Sequence, residues 1–191
     1  MHSNAKILRA PPLLKRQSKT EKQPKPTQYR VLIVDDDPDA ARLYGKLLRR
    51  EGFEVAEVGD HQVALIALAN EPEPISVLLA SFSIAGTSAC LKLLDSVRNH
   101  PQTAVMSTRV VLIIDTPKQQ LFTWQSGVDD VLLRPFNASE MVELVIAAAL
   151  RPDGDRPLYR RQNIDAIRDS AERPTTDVIS SDTDSALVSF H

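Results

Sequence analysis

The chain has 191 residues, 42% hydrophobic and 25% charged, with a formal charge of −2 and one cysteine. That length suits one domain with tails, and the balance is that of a soluble globular protein. A single cysteine, Cys90, excludes an internal disulfide framework and fits a reducing compartment. The early Ile7-Leu8 and Leu13-Leu14 pairs are broken by prolines and cations, so they form neither a signal core nor a membrane span. The expected location is the cytoplasm, with no membrane insertion.

Residues 1–30 carry eight Lys or Arg against one Glu, while residues 152–191 carry five Arg against eight acids. Residues 1–29 lack any sustained period and read as a basic disordered arm. Such an arm either contacts nucleic acid or another acidic surface through residues 1–28, or is a solvated leader.

Val31 to Val34 is an apolar run without alternation, which suits a strand buried on both faces. It ends on Asp35-Asp36-Asp37-Pro38. Carboxylates at the carboxyl end of a central parallel strand lie where open α/β sheets place their ligands. Asp37 is placed to cap the next helix, with Pro38 at its first position. The oxygen-only set of Asp35 and Asp36 suits a hard cation such as Mg²⁺, which would offset their repulsion.

Ala40 to Arg50 is helical in period, with Leu43, Leu47 and Leu48 on one face and Gly52 at its end. Phe53 to Val58 reads as a second strand, and His61 to Asn70 as a second helix stopped by Glu71-Pro72-Glu73-Pro74. Ile75 to Ala80 is a third strand, followed by Ser81. Thr87 to Asn99 is a third helix, beside whose apolar stripe Cys90 reads as a small core residue. A loop to Thr108 follows, and Val110 to Ile114 is a fourth strand, followed by Asp115. Lys118 to Ser126 reads as a fourth helix, bulky with Leu121, Phe122 and Trp124. A fifth strand leads to Arg134-Pro135-Phe136. Asn137 and Glu140 begin the last helix as a capping box.

Five alternating strand–helix units imply a doubly wound, flavodoxin-like α/β fold: a five-stranded parallel sheet of order 2-1-3-4-5 with helices on both faces. The domain spans residues 30–151. Residues 152–191 read as a mostly disordered acidic tail rich in Ser and Thr, with one short helix within 158–171.

Two anchors, Val31-Leu32-Ile33-Val34-Asp35-Asp36-Asp37-Pro38 and Gly127-Val128-Asp129-Asp130-Val131-Leu132-Leu133-Arg134-Pro135-Phe136, together resemble the response-regulator receiver domain of two-component signalling. The resemblance runs from about Arg30 to Leu150. It implies an aspartate at the end of the third strand that accepts a phosphoryl group, but no aspartate lies between Asp60 and Asp95. Ser81 (or, one residue earlier, Ala80) stands at that position. A serine hydroxyl without an adjacent base is a weak nucleophile, and acyl-phosphate chemistry needs a carboxylate. The same loss leaves Mg²⁺ bound only weakly.

The resemblance also places Asp115 where a hydroxyl residue is usual, Val131 where a swinging aromatic is usual, and Arg134 where a lysine is usual. Arg134 is expected to bridge to Asp35 or Asp36 as a planar fork of donors. The fourth helix, fifth strand and last helix become the expected partner surface. Trp124 is there either an interface anchor or a core plug.

The reading is a degenerate, non-enzymatic receiver acting as a phosphorylation-independent protein–protein interaction module, with a sensor kinase or another signalling protein as partner. Its competitors are an active phosphoacceptor using a substitute carboxylate such as Asp115, and a nucleic-acid adaptor working through the arm.

Overall fold

The computed structural model describes residues 29–82 and 87–172. The expectations for the basic arm and for the chain beyond Glu172 lie outside the described residues.

Five strands form one parallel sheet in the order β2-β1-β3-β4-β5: β1 Arg30–Val34, β2 Glu54–Val58, β3 Val77–Ser81, β4 Arg109–Ile114 and β5 Asp130–Leu133. This is the order expected from five strand–helix repeats. Its cause is visible in the side chains. Successive residues of a strand face opposite sides, and both sides of the central strands are apolar. Leu32, Leu78 and Leu112 pack into one core, and Val31, Ile33, Leu79 and Ile113 into the other. A strand apolar on both faces is stable only when helices cover both.

Helices α1 (Pro38–Arg50), α2 (His61–Asn70) and α3 (Thr87–Arg98) follow the first three strands. Asp37 caps α1, its Oδ1 accepting from Asp39 N and Ala40 N, with Pro38 in the first turn as expected. Gly52 takes φ +93°, which leaves its left-handed turn unstrained. Asp60 caps α2 in the same way. The thiol of Cys90 is buried and pushed up to about 12, so it is an inert core group.

The stretch read as a loop after α3 holds a short helix, α4 (Thr103–Ser107), whose Val105 reaches the core. With only five residues it has too few turns to display a period. After β4 come a 3₁₀ turn, α5 (Gln120–Gln125) and, beyond β5, α6 (Ala138–Leu150). Asn137 Oδ1 accepts from Glu140 N at the start of α6. The Arg134–Pro135 peptide is cis.

The largest departure lies past Arg151. The short helix expected within 158–171 is a 17-residue helix, α7 (Arg156–Glu172), and it is docked on the domain instead of lying in a free tail. Most of the stripe it turns inward is Arg156, Tyr159, Arg160, Asn163, Ile164 and Ile167, all half-buried. Arginines do not register in an apolar periodicity, so the sequence understated both its length and its attachment. No helix among the described residues is long and apolar enough to cross a membrane.

Candidate phosphoryl-site pocket and its arginine

The pocket lies at the carboxyl ends of four strands. Strand parity selects which side chains enter it. Ile33, Leu79, Ile113 and Leu132 all face the α1/α6 layer. Two residues on, Asp35, Ser81, Asp115 and Arg134 therefore point to that same side.

The contacts agree. Arg134 Nη1 donates to Asp115 Oδ1 at 2.9 Å and to Ser81 Oγ at 3.3 Å. Arg134 Nη2 lies 3.5 Å from Asp35 Oδ2. Asp35 Oδ1 accepts from Asp37 N at 3.0 Å, while the buried Oδ2 has no hydrogen-bond donor among the described residues. Burial raises the Asp35 carboxyl, against the lowering effect of Asp37 N–H and Arg134. Burial lowers the Arg134 guanidinium, but hydrogen bonds to Tyr44 and Asp115 outweigh it and hold it above its usual value. The cation in the pocket is thus a permanent one.

The expected arginine–aspartate bridge is present to Asp35, and the shorter pair is to Asp115. Asp36 lines, together with Asp35, an open cleft of about 400 Å³ shared with Arg42 and Glu57. Val131 is half-buried, packed on the opposite face of the sheet from the pocket. Among the described residues no three His, Cys, Asp or Glu are placed to share an ion, and a guanidinium already faces the two inward carboxylates.

Trp124, expected as an anchor for an outside partner or as a plug, is 4% exposed and packs edge-on against Tyr159 of α7, with ring centroids 5.8 Å apart. The contact it makes is within the chain. Phe122, on the same helix, is exposed.

A second polar cluster, unforeseen from the sequence, sits at the opposite end of the sheet. The Asp129 carboxylate is fully buried. It accepts from Arg98 Nη2 at 2.7 Å, Val110 N at 2.8 Å and Arg156 Nε at 2.7 Å, with Arg160 Nη2 at 3.5 Å. Burial raises this carboxyl, but the Arg156 hydrogen bond and the Arg98 and Arg156 charges outweigh it and hold it below the usual range. A lowered carboxyl contributes stability above its unfolded value, about 3.9, that is lost as pH falls through the folded one. Acid unfolding followed by Trp124 emission should therefore begin only below about pH 4; an onset above pH 5 would contradict the assignment. Neighbouring Asp130 pairs with Arg151 Nη2 at 2.9 Å, and the Arg151 guanidinium lies 3.6 Å over the Tyr159 ring.

The model of the response regulator receiver domain family matches residues 31–146. The chain belongs to that family. The DNA-binding response regulator MtrA of Mycolicibacterium smegmatis is 35% identical over 132 residues, covering 68% of this chain and 54% of MtrA. The master transcriptional regulator RpaA of Synechocystis is 28% identical, covering 65% of this chain and 50% of RpaA. This receiver chain thus spans about half the length of the curated relatives it matches. Among solved structures, chemotaxis response regulator CheY4 of Vibrio cholerae is similar at 19% identity and TM-score 0.55, covering 63% of this chain and 98% of CheY4. A response regulator from Thermotoga maritima has 21% identity and TM-score 0.55, covering 65% and 99%. These two likenesses speak for the fold.

Proposed function

We propose that this receiver works as a phosphorylation-independent protein–protein interaction module in two-component signalling, engaging a sensor kinase or another signalling protein. The observation that carries the reading is Arg134, set between Asp35 and Asp115 with Ser81 in reach. A phosphoryl-accepting pocket needs a carboxylate nucleophile and a metal ion to offset the incoming charge. Here the strand that would carry the nucleophile ends on Ser81, and the carboxylates face an arginine of the same chain. Asp115, the candidate substitute acceptor, has its Oδ1 engaged by Arg134. Such a pocket carries its own permanent cation, and the module signals by being bound or localised.

The test is incubation with an autophosphorylated, radiolabelled histidine kinase, followed by acid and alkali treatment. No labile label on this chain is expected, and an alkali-labile label would overturn the reading.

The second reading, a nucleic-acid adaptor, is favoured by the charge of the arm and by the DNA-binding relatives. It predicts salt-sensitive duplex binding that deletion of residues 1–28 removes. Retention of binding without the arm would sink it.

A further inference from the structure

We propose that α7 is a detachable latch, and that the α5–β5 face beneath it is a seat for an amphipathic helix with basic residues in its first turns. The inference holds whether or not the pocket takes a phosphoryl group.

Three observations lead to it. First, α1, α2, α3 and α6 each bury at least two residues, whereas none of residues 156–171 is buried. Tyr159, Ile164 and Ile167 only lean on the core, so α7 is held chiefly by charge.

Second, α7 is poorly built to stand alone. Arg156, Arg160 and Arg161 crowd its first turns and no acid lies there, an arrangement the helix dipole opposes. Counter-charge comes from outside the helix, from Asp153 in the turn before it, which pairs with Arg156, and from Asp129 of the domain, which holds both Arg156 and Arg160. Helix formation and docking are therefore coupled. The helix contents of α7 are conditional on its seat.

Third, the seat keeps most of its own polar partners when α7 leaves. Asp129 retains Arg98 Nη2 and Val110 N. Asp130 retains Arg151 Nη2 and Val131 N. Gly127 O retains Arg98 Nε. What becomes exposed is Trp124 with the outer side of Val131, flanked by two carboxylates. That combination fits a helix carrying arginines four residues apart, with an aromatic residue beside them, as in Arg156, Tyr159 and Arg160. A partner helix of this chemistry would compete with α7 for the seat.

The experiment uses the full chain. Hydrogen exchange on the unaltered protein should find residues 156–172 exchanging together and at least tenfold faster than the core of α6. Exchange of α7 and α6 in one step would overturn the proposal. In the Arg156→Glu/Arg160→Glu chain, Trp124 emission should shift to the red while cooperative unfolding of the sheet persists. A labelled peptide of residues 152–172 should then bind that variant saturably and bind the unaltered chain at least tenfold more weakly. Loss of the whole fold in the variant, unshifted Trp124 emission, or failure of the peptide to bind would each contradict a detachable latch.

Discussion

Asp129→Ala is expected to cost about 3–5 kcal/mol of unfolding free energy, the range for stripping the counter-charge from buried ions. Three guanidiniums, of Arg98, Arg156 and Arg160, then share one buried region with no carboxylate between them. The Arg156 and Arg160 side chains can move out with α7. Arg98 cannot, because it is tied to Gly127 O and Thr108 O as well. Burial already pulls the Arg98 guanidinium down to about 10 with Asp129 present. Urea unfolding of the two chains measures the difference. A cost under about 1 kcal/mol, the range of exposed pairs, would show that the cluster is not a buried network.

Arg134→Ala is the second large effect, and its direction depends on the ionic conditions. In metal-free buffer at neutral pH it removes the cation facing buried Asp35 and the partner of Asp115. Arg134 is partly exposed, so solvent screens the loss, and about 1–2 kcal/mol is expected, between the exposed and buried limits. Because burial raises the Asp35 carboxyl, its native form favours the proton. The loss should therefore shrink as pH falls toward 4 and Asp35 neutralises. Denaturant unfolding at both pH values checks this. An equal cost at both would assign the effect to packing of the arginine stem on α1.

The core was legible in the sequence because its signals are local, while the membership of the pocket was expected from the resemblance to receiver domains. Unbroken apolar runs at Val31–Val34 and Val110–Ile114 mark strands covered on both faces, and a common strand parity brings Asp35, Ser81, Asp115 and Arg134 to one side. The arginine–carboxylate bridge was expected from the resemblance, which set Arg134 in the pocket, and from the planar fork of donors an arginine carries. The choice of Asp115 as the nearest partner was not, since it depends on how the turn after β4 is folded.

The α7 contact was hidden for a different reason. Two of its inward residues, Arg156 and Arg160, are cations that satisfy carbonyls and the Asp129 carboxylate, and Asp129 sits in a motif whose sequence reads simply as a strand start. Trp124 was ambiguous for the same reason. Nothing local says that Tyr159, far along the chain, supplies its partner. Long-range polar packing leaves no periodic trace.

The central claim is that the pocket's charge is settled by Arg134. The direct measurement is a titration of the ¹⁵N-labelled full chain with Mg²⁺ and then beryllofluoride, following the amides of Asp35, Ser81, Asp115 and Arg134. The account predicts no saturable shift at any of the four. A saturable shift at Ser81 and Asp35 with beryllofluoride would mean that the pocket still admits a phosphoryl group, contradicting an arginine-filled site.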